Sequence, residues 1–331
     1  REAQDGYSAR QVLKDASSSD VSNRNWYVDA DRDNDGTYDN QWELFAQDTA
    51  NPELLVDSVG KYRVKLEAVK KLPADTLSAY VGEAERKKVE MIKNFDVYNR
   101  TPSLAFHTNK STYLLGETID YSYFANGSNH PIPAGLTNLP KEYYSDPDGD
   151  PAYAITWRYI HSTAGFDNPQ GTHAQNDVLL SSPLTSLNKP GTYTLHAKAT
   201  DKPSENVKFT GHGAIDYRLS ATASKGIRVH RAPVNAVSFT ATDPAKQING
   251  ITFMPGATIT ITDHSYDPDF QFSRSDRGII SVTREYKKYE DANYTPVTGM
   301  QFALSSTGYY SYKQVVTDFD GATSTEMMTL E

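Results

Sequence analysis

The feature that most constrains this chain is a short motif that occurs three times. Each copy is a glycine, any residue and a tyrosine, followed by residues that alternate in polarity; the copies begin at Gly60, Gly191 and Gly308. Alternation with a period of two predicts a β-strand, and glycine permits the turn that precedes it. Three such strands spread over 331 residues predict a β-unit repeated three times in series.

Two further marks recur with this motif. A strand that ends in a proline follows the first two glycines, and the offset is 42 residues both times (60 to 102 and 191 to 233). Proline starts a short, stiff connector, so we place domain boundaries there, giving domains 1–101, 102–232 and 233–331. An acidic turn precedes each glycine, at 17–20, 145–150 and 265–269.

Tryptophan marks the next strand in the first two domains. Trp26 and Trp157 follow the acidic turns by a few residues, where a core aromatic side chain is expected. The third domain has no tryptophan there, and we expect Ile280, Val282 or Tyr286 to take its place.

Together these marks resemble PKD domains. The pattern consists of Ser-x-Asp-Pro-Asp-Gly-Asp, a strand tryptophan, Gly-x-Tyr-x-Val and a closing Val-x-Asp-x-Asp-Gly, clearest at 316–321. The resemblance covers nearly the whole chain and implies an all-β protein of three tandem immunoglobulin-like (PKD-type) β-sandwich domains in an elongated arrangement. Such modules serve as spacers or adhesive modules in surface proteins, pili, S-layers and secreted hydrolases.

The chain departs from this pattern in three places. Too few residues precede Ser17 for a full opening strand, so we expect the first domain to be incomplete at its N-terminal end. The second domain is enlarged by 126–144 and 161–177, and the segment 75–88 has helical composition that predicts one short helix.

Composition narrows the classes of function. A net charge of -9 argues against nucleic acid, whose phosphates need a basic face, and against anionic membranes. No cysteine is present, which excludes disulfides, thiol catalysis and cysteine-bound zinc and favours an exported Gram-positive protein. No apolar run is long enough to insert into a membrane. The chain begins at Arg1 without a signal peptide, so we expect an internal, extracellular piece of a longer protein.

The acidic segment 29–39 is the sharpest candidate site. Alternating acids followed by Gly36 are typical of an oxygen-only calcium loop, in which side chains at every second position converge on one ion. Position 12 of an EF-hand is Trp42 here and carries no carboxylate, so the likeness to calcium loops covers only the first half. A solvated hairpin loop is the alternative. The candidate ligands are Asp29, Asp31, Asp33, Asp35 and Asp39.

The acidic turns of the other two domains are weaker calcium candidates, because Asp, Pro and Gly are also ordinary turn residues. The second domain offers Asp146, Asp148 and Asp150, and the third offers Asp263, Asp267 and Asp269.

No catalytic motif is present. The eight histidines form no zinc-binding pair, and neither a nucleophile elbow nor a phosphate-binding loop occurs. The tyrosine pairs at 143–144 and 309–310 are sugar-stacking candidates, although strand tyrosines usually point one inward and one outward.

We therefore predict a non-enzymatic, calcium-stabilised stalk or spacer of a bacterial surface protein. The alternative is an adhesive or carbohydrate-binding module of a larger secreted protein. Expected partners are neighbouring domains of the same chain, a cell-wall polymer or glycan, or copies of the protein itself.

Overall fold

A computed structural model describes residues 9–17, 21–56, 58–70, 88–121, 143–167, 176–203 and 217–331. Within these ranges the chain is built from strands and turns, and the one helical element is a 3₁₀ turn at Pro244–Lys246. This confirms the all-β fold class. The helix predicted for 75–88 falls outside the described residues, except for Lys88, which begins a strand. Among the described residues, no helix has the length and apolar character that crossing a bilayer requires.

The described residues group into two compact units. The first draws on Arg1–Phe106, Ile132–Thr156 and Ala197–Ala223, and the second on His107–Pro131, Trp157–His196 and Ser224–Glu331. The predicted boundaries after residues 101 and 232 stay a prediction.

The N-terminal part of the first unit is a two-layer sandwich. One layer is a four-stranded sheet in the order β3-β2-β5-β6, and the other pairs β1 with β4; the pairings are antiparallel. The strands are β1 (Ala9–Val12), β2 (Val21–Ala30), β3 (Glu43–Gln47), β4 (Glu53–Val56), β5 (Gly60–Lys70) and β6 (Lys88–Val97).

The core of this sandwich follows from the alternation in β5. Tyr62, Val64 and Leu66 are all buried, as the period of two predicts, and they pack with Trp26 of β2 and Leu54 of β4. Burying one such side chain contributes about 1.5–3 kcal/mol, so side chains of both layers hold the sandwich together.

The middle of the chain forms a five-stranded sheet in the order β11-β10-β12-β13-β8 and a short pair of β7 with β9. Strand β8 runs parallel to β13. The strands are β7 (Ser103–Leu104), β8 (Thr112–Leu114), β9 (Tyr144–Ser145), β10 (Ala152–Ser162), β11 (Asn176–Leu180), β12 (Gly191–Asp201) and β13 (Ser220–His230).

The C-terminal part of the second unit is another sandwich. Its sheets have the orders β14-β17-β20 and β19-β18-β21-β22, with β15 and β16 as a separate pair. The strands are β14 (Val237–Ala241), β15 (Gln247–Asn249), β16 (Thr252–Phe253), β17 (Thr258–Asp263), β18 (Ile279–Lys288), β19 (Thr295–Pro296), β20 (Gln301–Ala303), β21 (Tyr310–Asp318) and β22 (Thr323–Leu330).

Strand order identifies this sandwich as immunoglobulin-like. Apart from the short pair of β15 and β16, the sandwich has seven strands, β14 and β17 to β22. The first, second and fifth of these (β14, β17 and β20) form one sheet, and the third, sixth and seventh (β18, β21 and β22) lie in the other, as in immunoglobulin domains. Phe239 and Ile259 of the first sheet pack against Tyr312 and Leu330 of the second.

The three Gly-x-Tyr motifs occupy matching places. Gly60 and Gly191 begin the strand that pairs with the tryptophan-bearing strand, and Gly308 lies two residues before the corresponding strand β21. Each glycine has a positive φ: 153° at Gly60, 139° at Gly191 and 126° at Gly308. Each tyrosine hydroxyl donates to the carbonyl oxygen four residues earlier: Tyr62 to Ser58 at 2.8 Å, Tyr193 to Lys189 at 3.0 Å and Tyr310 to Ser306 at 3.1 Å. This is the tyrosine corner of immunoglobulin-like sandwiches.

The third sandwich differs at the tryptophan position. Trp26 lies opposite Leu66, six residues after Gly60, and the counterpart six residues after Gly308 is Gln314, which lies opposite Arg284. Register therefore assigns the tryptophan's place to Arg284, which corrects the expectation of Ile280, Val282 or Tyr286. Of those three, Tyr286 packs against the core, whereas Ile280 is exposed.

Candidate metal sites

The acidic loop after β2 brings three of its five aspartates together. Asp31, Asp33 and Asp39 each offer one carboxylate oxygen, and these oxygens all lie within 4.8 Å of one another. An oxygen-only set of this kind suits a hard cation such as calcium.

Backbone hydrogen bonds shape this loop around Asp31. Its two carboxylate oxygens accept from the backbone nitrogens of Asp35 at 3.1 Å and of Gly36 at 3.0 Å. Gly36 has a φ of 93°, which glycine adopts without steric cost. The turn therefore depends on the glycine that the calcium-loop pattern requires.

The other two predicted ligands lie outside the group. Asp29 is fully buried and accepts from the backbone nitrogen of Gln41 at 3.0 Å and from the Arg63 guanidinium at 2.7 Å. Asp29 therefore stabilises the loop conformation through these hydrogen bonds. Asp35 accepts from the backbone nitrogen and hydroxyl of Thr37, and these bonds lower its pKa.

The acidic turn of the middle segment holds a second group. One oxygen each from Asp146, Asp148 and Asp150 lies within 4.8 Å of the others. Asp146 accepts from the backbone nitrogen of Asp148 at 2.7 Å, so the turn is closed by its first aspartate. Both Asp148 and Asp150 are buried, in contrast to the more exposed loop at 31–39.

A linker arginine holds the buried aspartate of this turn. Arg100 donates to the Asp148 carboxylate from its backbone nitrogen at 2.8 Å and from Nε at 2.7 Å, and its Nη2 donates to the Pro147 carbonyl oxygen at 2.6 Å. We call this set of contacts the linker clamp.

The same linker clamp occurs a second time, in the second unit. Arg231 donates to the Asp269 carboxylate from its backbone nitrogen at 2.6 Å and from Nε at 2.7 Å, and its Nη2 donates to the Pro268 carbonyl oxygen at 2.7 Å. Sequence reasoning missed both arginines. Their signal was visible, because each stands two residues before a boundary proline.

The residue before each arginine faces another buried aspartate. Asn99 donates to the Asp201 carboxylate at 2.6 Å, and His230 Nδ1 lies 3.5 Å from Asp318 Oδ2. Burial alone would lower the pKa of His230, but the aspartates around it, Asp318 first, leave it raised.

Asp263, a predicted calcium ligand, belongs to a different network. Its carboxylate lies 2.6 Å from Arg284 Nη2 and 3.4 Å from the Gln314 amide nitrogen. Burial would raise its pKa, yet hydrogen bonds from Ser265 and the charge of Arg284 lower it. The negative charge of Asp263 therefore compensates the positive charge of Arg284, which occupies the position of a core tryptophan.

Asp267, the remaining predicted ligand, lies near two acids of the closing motif. Burial, together with the negative charges of Asp269, Asp318 and Asp320, raises the pKa of Asp267 to about 6. Sequence reasoning recognised the closing Val-x-Asp-x-Asp-Gly pattern but did not assign Asp318 or Asp320 to a site.

Of the two tyrosine pairs, only Tyr309 and Tyr310 divide into one exposed and one buried ring. Tyr143, Tyr144 and Tyr310 are buried, and Tyr309 is exposed. Three of the four rings are therefore core residues and present no face to a sugar.

Comparisons with known proteins give structural neighbours only. No protein-family model matches the chain, and no curated protein matches it. The chain is similar to the extracellular domain of protocadherin GammaB4 (TM-score 0.25, 13% identity, 98% of this chain and 43% of that chain). It is similar to the chicken CNTN1 FN1-FN3 domains (TM-score 0.23, 9% identity, 98% of both chains). It is also similar to the extracellular cadherin domains 3-6 of protocadherin gamma B2 (TM-score 0.28, 12% identity, 98% and 77%).

The chain spans less than half the length of the protocadherin GammaB4 structure. The two protocadherin structures are extracellular domains by their descriptions, but TM-scores below 0.5 carry no weight for function. The immunoglobulin-like assignment rests on the strand order and the tyrosine corners.

Proposed function

We propose that this chain is a non-catalytic spacer of an extracellular bacterial surface protein, of the S-layer, pilus or adhesin type, stabilised by calcium. The observation that carries the proposal is the linker clamp, which occurs at Arg100 and again at Arg231 with the same three hydrogen bonds.

A repeated clamp is what a spacer needs. In each copy, the arginine that follows a strand is hydrogen-bonded to the next acidic turn through both its backbone nitrogen and its side chain. Charge-assisted arginine bonds are shorter and stronger than neutral ones, and the planar guanidinium, held at two of its nitrogens, defines an orientation. The same clamp on both connecting segments therefore supports a spacer role, in which the segments on either side of each connection keep a fixed orientation.

Calcium would act on the acidic turn that Arg100 engages and on the separate acidic loop at 31–39. The groups at Asp31, Asp33, Asp39 and at Asp146, Asp148, Asp150 supply carboxylates close enough to share one ion. A cation that binds the folded state alone stabilises it by mass action, which is useful where calcium is abundant outside the cell.

Spin labelling tests the spacer role, because the absence of cysteine lets two introduced cysteines be labelled cleanly. Leu179→Cys and Thr240→Cys, both exposed, lie on either side of the Arg231 linker. We expect a narrow distance distribution that broadens in the Arg231→Ala background. A distribution equally broad with and without Arg231 would contradict a stiffening role for the clamp.

A glycan array and a polysaccharide pull-down test the alternative. A spacer is retained by none of the polymers, whereas specific, saturable retention would assign the chain to the adhesive or carbohydrate-binding class.

A further inference from the structure

Three buried aspartates in the second unit share an unusual feature. Asp267 and Asp318 are 1% and 0% exposed, and the side chain of Asp320 is 7% exposed. In each of the three, the oxygen Oδ2 is buried and has no hydrogen-bond partner within the described structure. Such atoms are rare in folded proteins and indicate a missing ion, water or proton.

The other oxygen of each carboxylate is bound. Oδ1 of Asp267 accepts from the backbone nitrogen of Asp269 at 2.8 Å, and Oδ1 of Asp318 accepts from that of Ala322 at 2.7 Å. Oδ1 of Asp320 lies 2.7 Å from Arg228 Nε. One oxygen of each carboxylate is thus fixed by the fold. The second oxygen accepts no hydrogen bond from the described residues, and that of Asp318 lies 3.5 Å from His230 Nδ1.

The charges around these carboxylates do not balance. Arg231 neutralises Asp269 and Arg228 neutralises Asp320, which leaves Asp267 and Asp318 with His230 as the remaining cationic group beside Asp318. Burying an uncompensated carboxylate is costly. A divalent cation would offset the negative charge that this group retains.

We propose that Asp267, Asp318 and Asp320 bind a divalent cation of the calcium class through their Oδ2 atoms. The site joins the acidic turn before β18 to the turn between β21 and β22, and it includes two residues of the closing motif. It is independent of the spacer role, because the chain could bind this ion whatever its function.

The proposed ligands are more widely spaced than those of the other two groups. Their oxygens do not form a set within 4.8 Å in the described residues. Cation binding therefore draws the turn that contains Asp318 and Asp320 toward Asp267. The positive φ of 90° at Gly321 gives that turn a residue that tolerates rearrangement.

Calorimetric titration of the full chain with calcium tests the site. Asp318→Asn removes one ligand charge, and we expect it to lower the number of bound calcium ions by one. The matched control is Asp276→Asn, which makes the same charge change on an exposed aspartate paired with Arg274 and leaves the number unchanged. Asp31→Asn reports separately on the loop at 31–39.

The results separate this proposal from the proposed function. If Asp31→Asn loses an ion but Asp318→Asn binds as many as the wild type, the third site is overturned while calcium stabilisation stands. Because Asp318 is fully buried and its variant can fail to fold, Asp320→Asn is titrated in parallel. Anomalous diffraction from wild-type crystals soaked in Mn²⁺ must also show a peak beside Asp267, and an absent peak overturns the proposal.

Discussion

The hydroxyl of Tyr193 donates a hydrogen bond of 3.0 Å to the carbonyl oxygen of Lys189, four residues earlier in the chain. Tyr62 and Tyr310 repeat this bond. Each bond ties the start of a central strand to the turn before it, so the Gly-x-Tyr motif that stands out in the sequence is one structural device used three times.

Removing a corner hydroxyl should destabilise the surrounding fold while keeping the ring in place. We expect Tyr193→Phe and Tyr62→Phe each to cost about 1 kcal/mol, since a part-buried hydrogen bond is lost. Denaturant unfolding measures the change. Tyr98→Phe, at an exposed position, is the control and should stay within about 0.5 kcal/mol. Equal effects at the corner and control positions would refute the role of the bond.

Adding a methyl group at the corner glycine should be more damaging. A Cβ at Gly191 would lie 2.5 Å from the Ser162 carbonyl oxygen, and its φ is 139°, so backbone must move. We expect Gly191→Ala to destabilise the protein by about 2 kcal/mol or more. Gly226→Ala has open space around its Cβ and should be neutral or slightly stabilising. A tolerated Gly191→Ala would show that the backbone there is not constrained.

The linker clamp predicts that replacing Arg231 by lysine costs more stability than the same replacement at Arg274, which lies near the same turn. Arg231→Lys keeps the charge but cannot reproduce the two-pronged contact with Asp269 and Pro268, and Asp269 is fully buried. We expect a loss of about 1.5–3 kcal/mol, the range for hydrogen bonds to charged groups. Arg274→Lys changes an exposed ion pair and should cost at most about 1 kcal/mol. Thermal unfolding of both variants compares them, and similar melting temperatures would argue against the clamp.

A buried ion pair in the first sandwich predicts a pH dependence. Burial would raise the pKa of Glu67, but bonds from Lys65 and Lys88 outweigh it and leave the pKa lowered. A lowered folded-state pKa contributes stability above the ordinary value of 4.5, and this contribution is lost as the pH falls through the folded-state pKa. Glu67→Gln should therefore cost about 1 kcal/mol at pH 7, with the difference from wild type shrinking below pH 4.5. A difference that is independent of pH would contradict the ion pair.

The fold could be predicted from sequence because its signals are local. Alternation in β5 placed Tyr62, Val64 and Leu66 on one buried face, and backbone sterics explain the three glycines. The place of Arg284 could not be predicted, since it depends on register with Gln314 and on the distant Asp263. A charged residue in a tryptophan's position gives no hydrophobic signal.

The candidate sites were predictable only in part for a similar reason. Spacing in the sequence pointed to Asp31, Asp33 and Asp39, which lie in one loop. It could not distinguish Asp29, whose carboxylate is taken by Arg63 from another strand. Nor could it bring Asp318 and Asp320 near Asp267, because that proximity arises from the packing of two turns about fifty residues apart.

Calorimetric melting of the full chain, with calcium and then with excess EDTA, tests the central claim most directly. Free calcium at about one hundred times its Kd stabilises a folded domain by about 2.7 kcal/mol per site. We therefore expect a melting temperature several degrees lower in EDTA, and a smaller shift in Asp31→Asn. A melting curve that EDTA leaves unmoved would contradict a calcium-stabilised spacer.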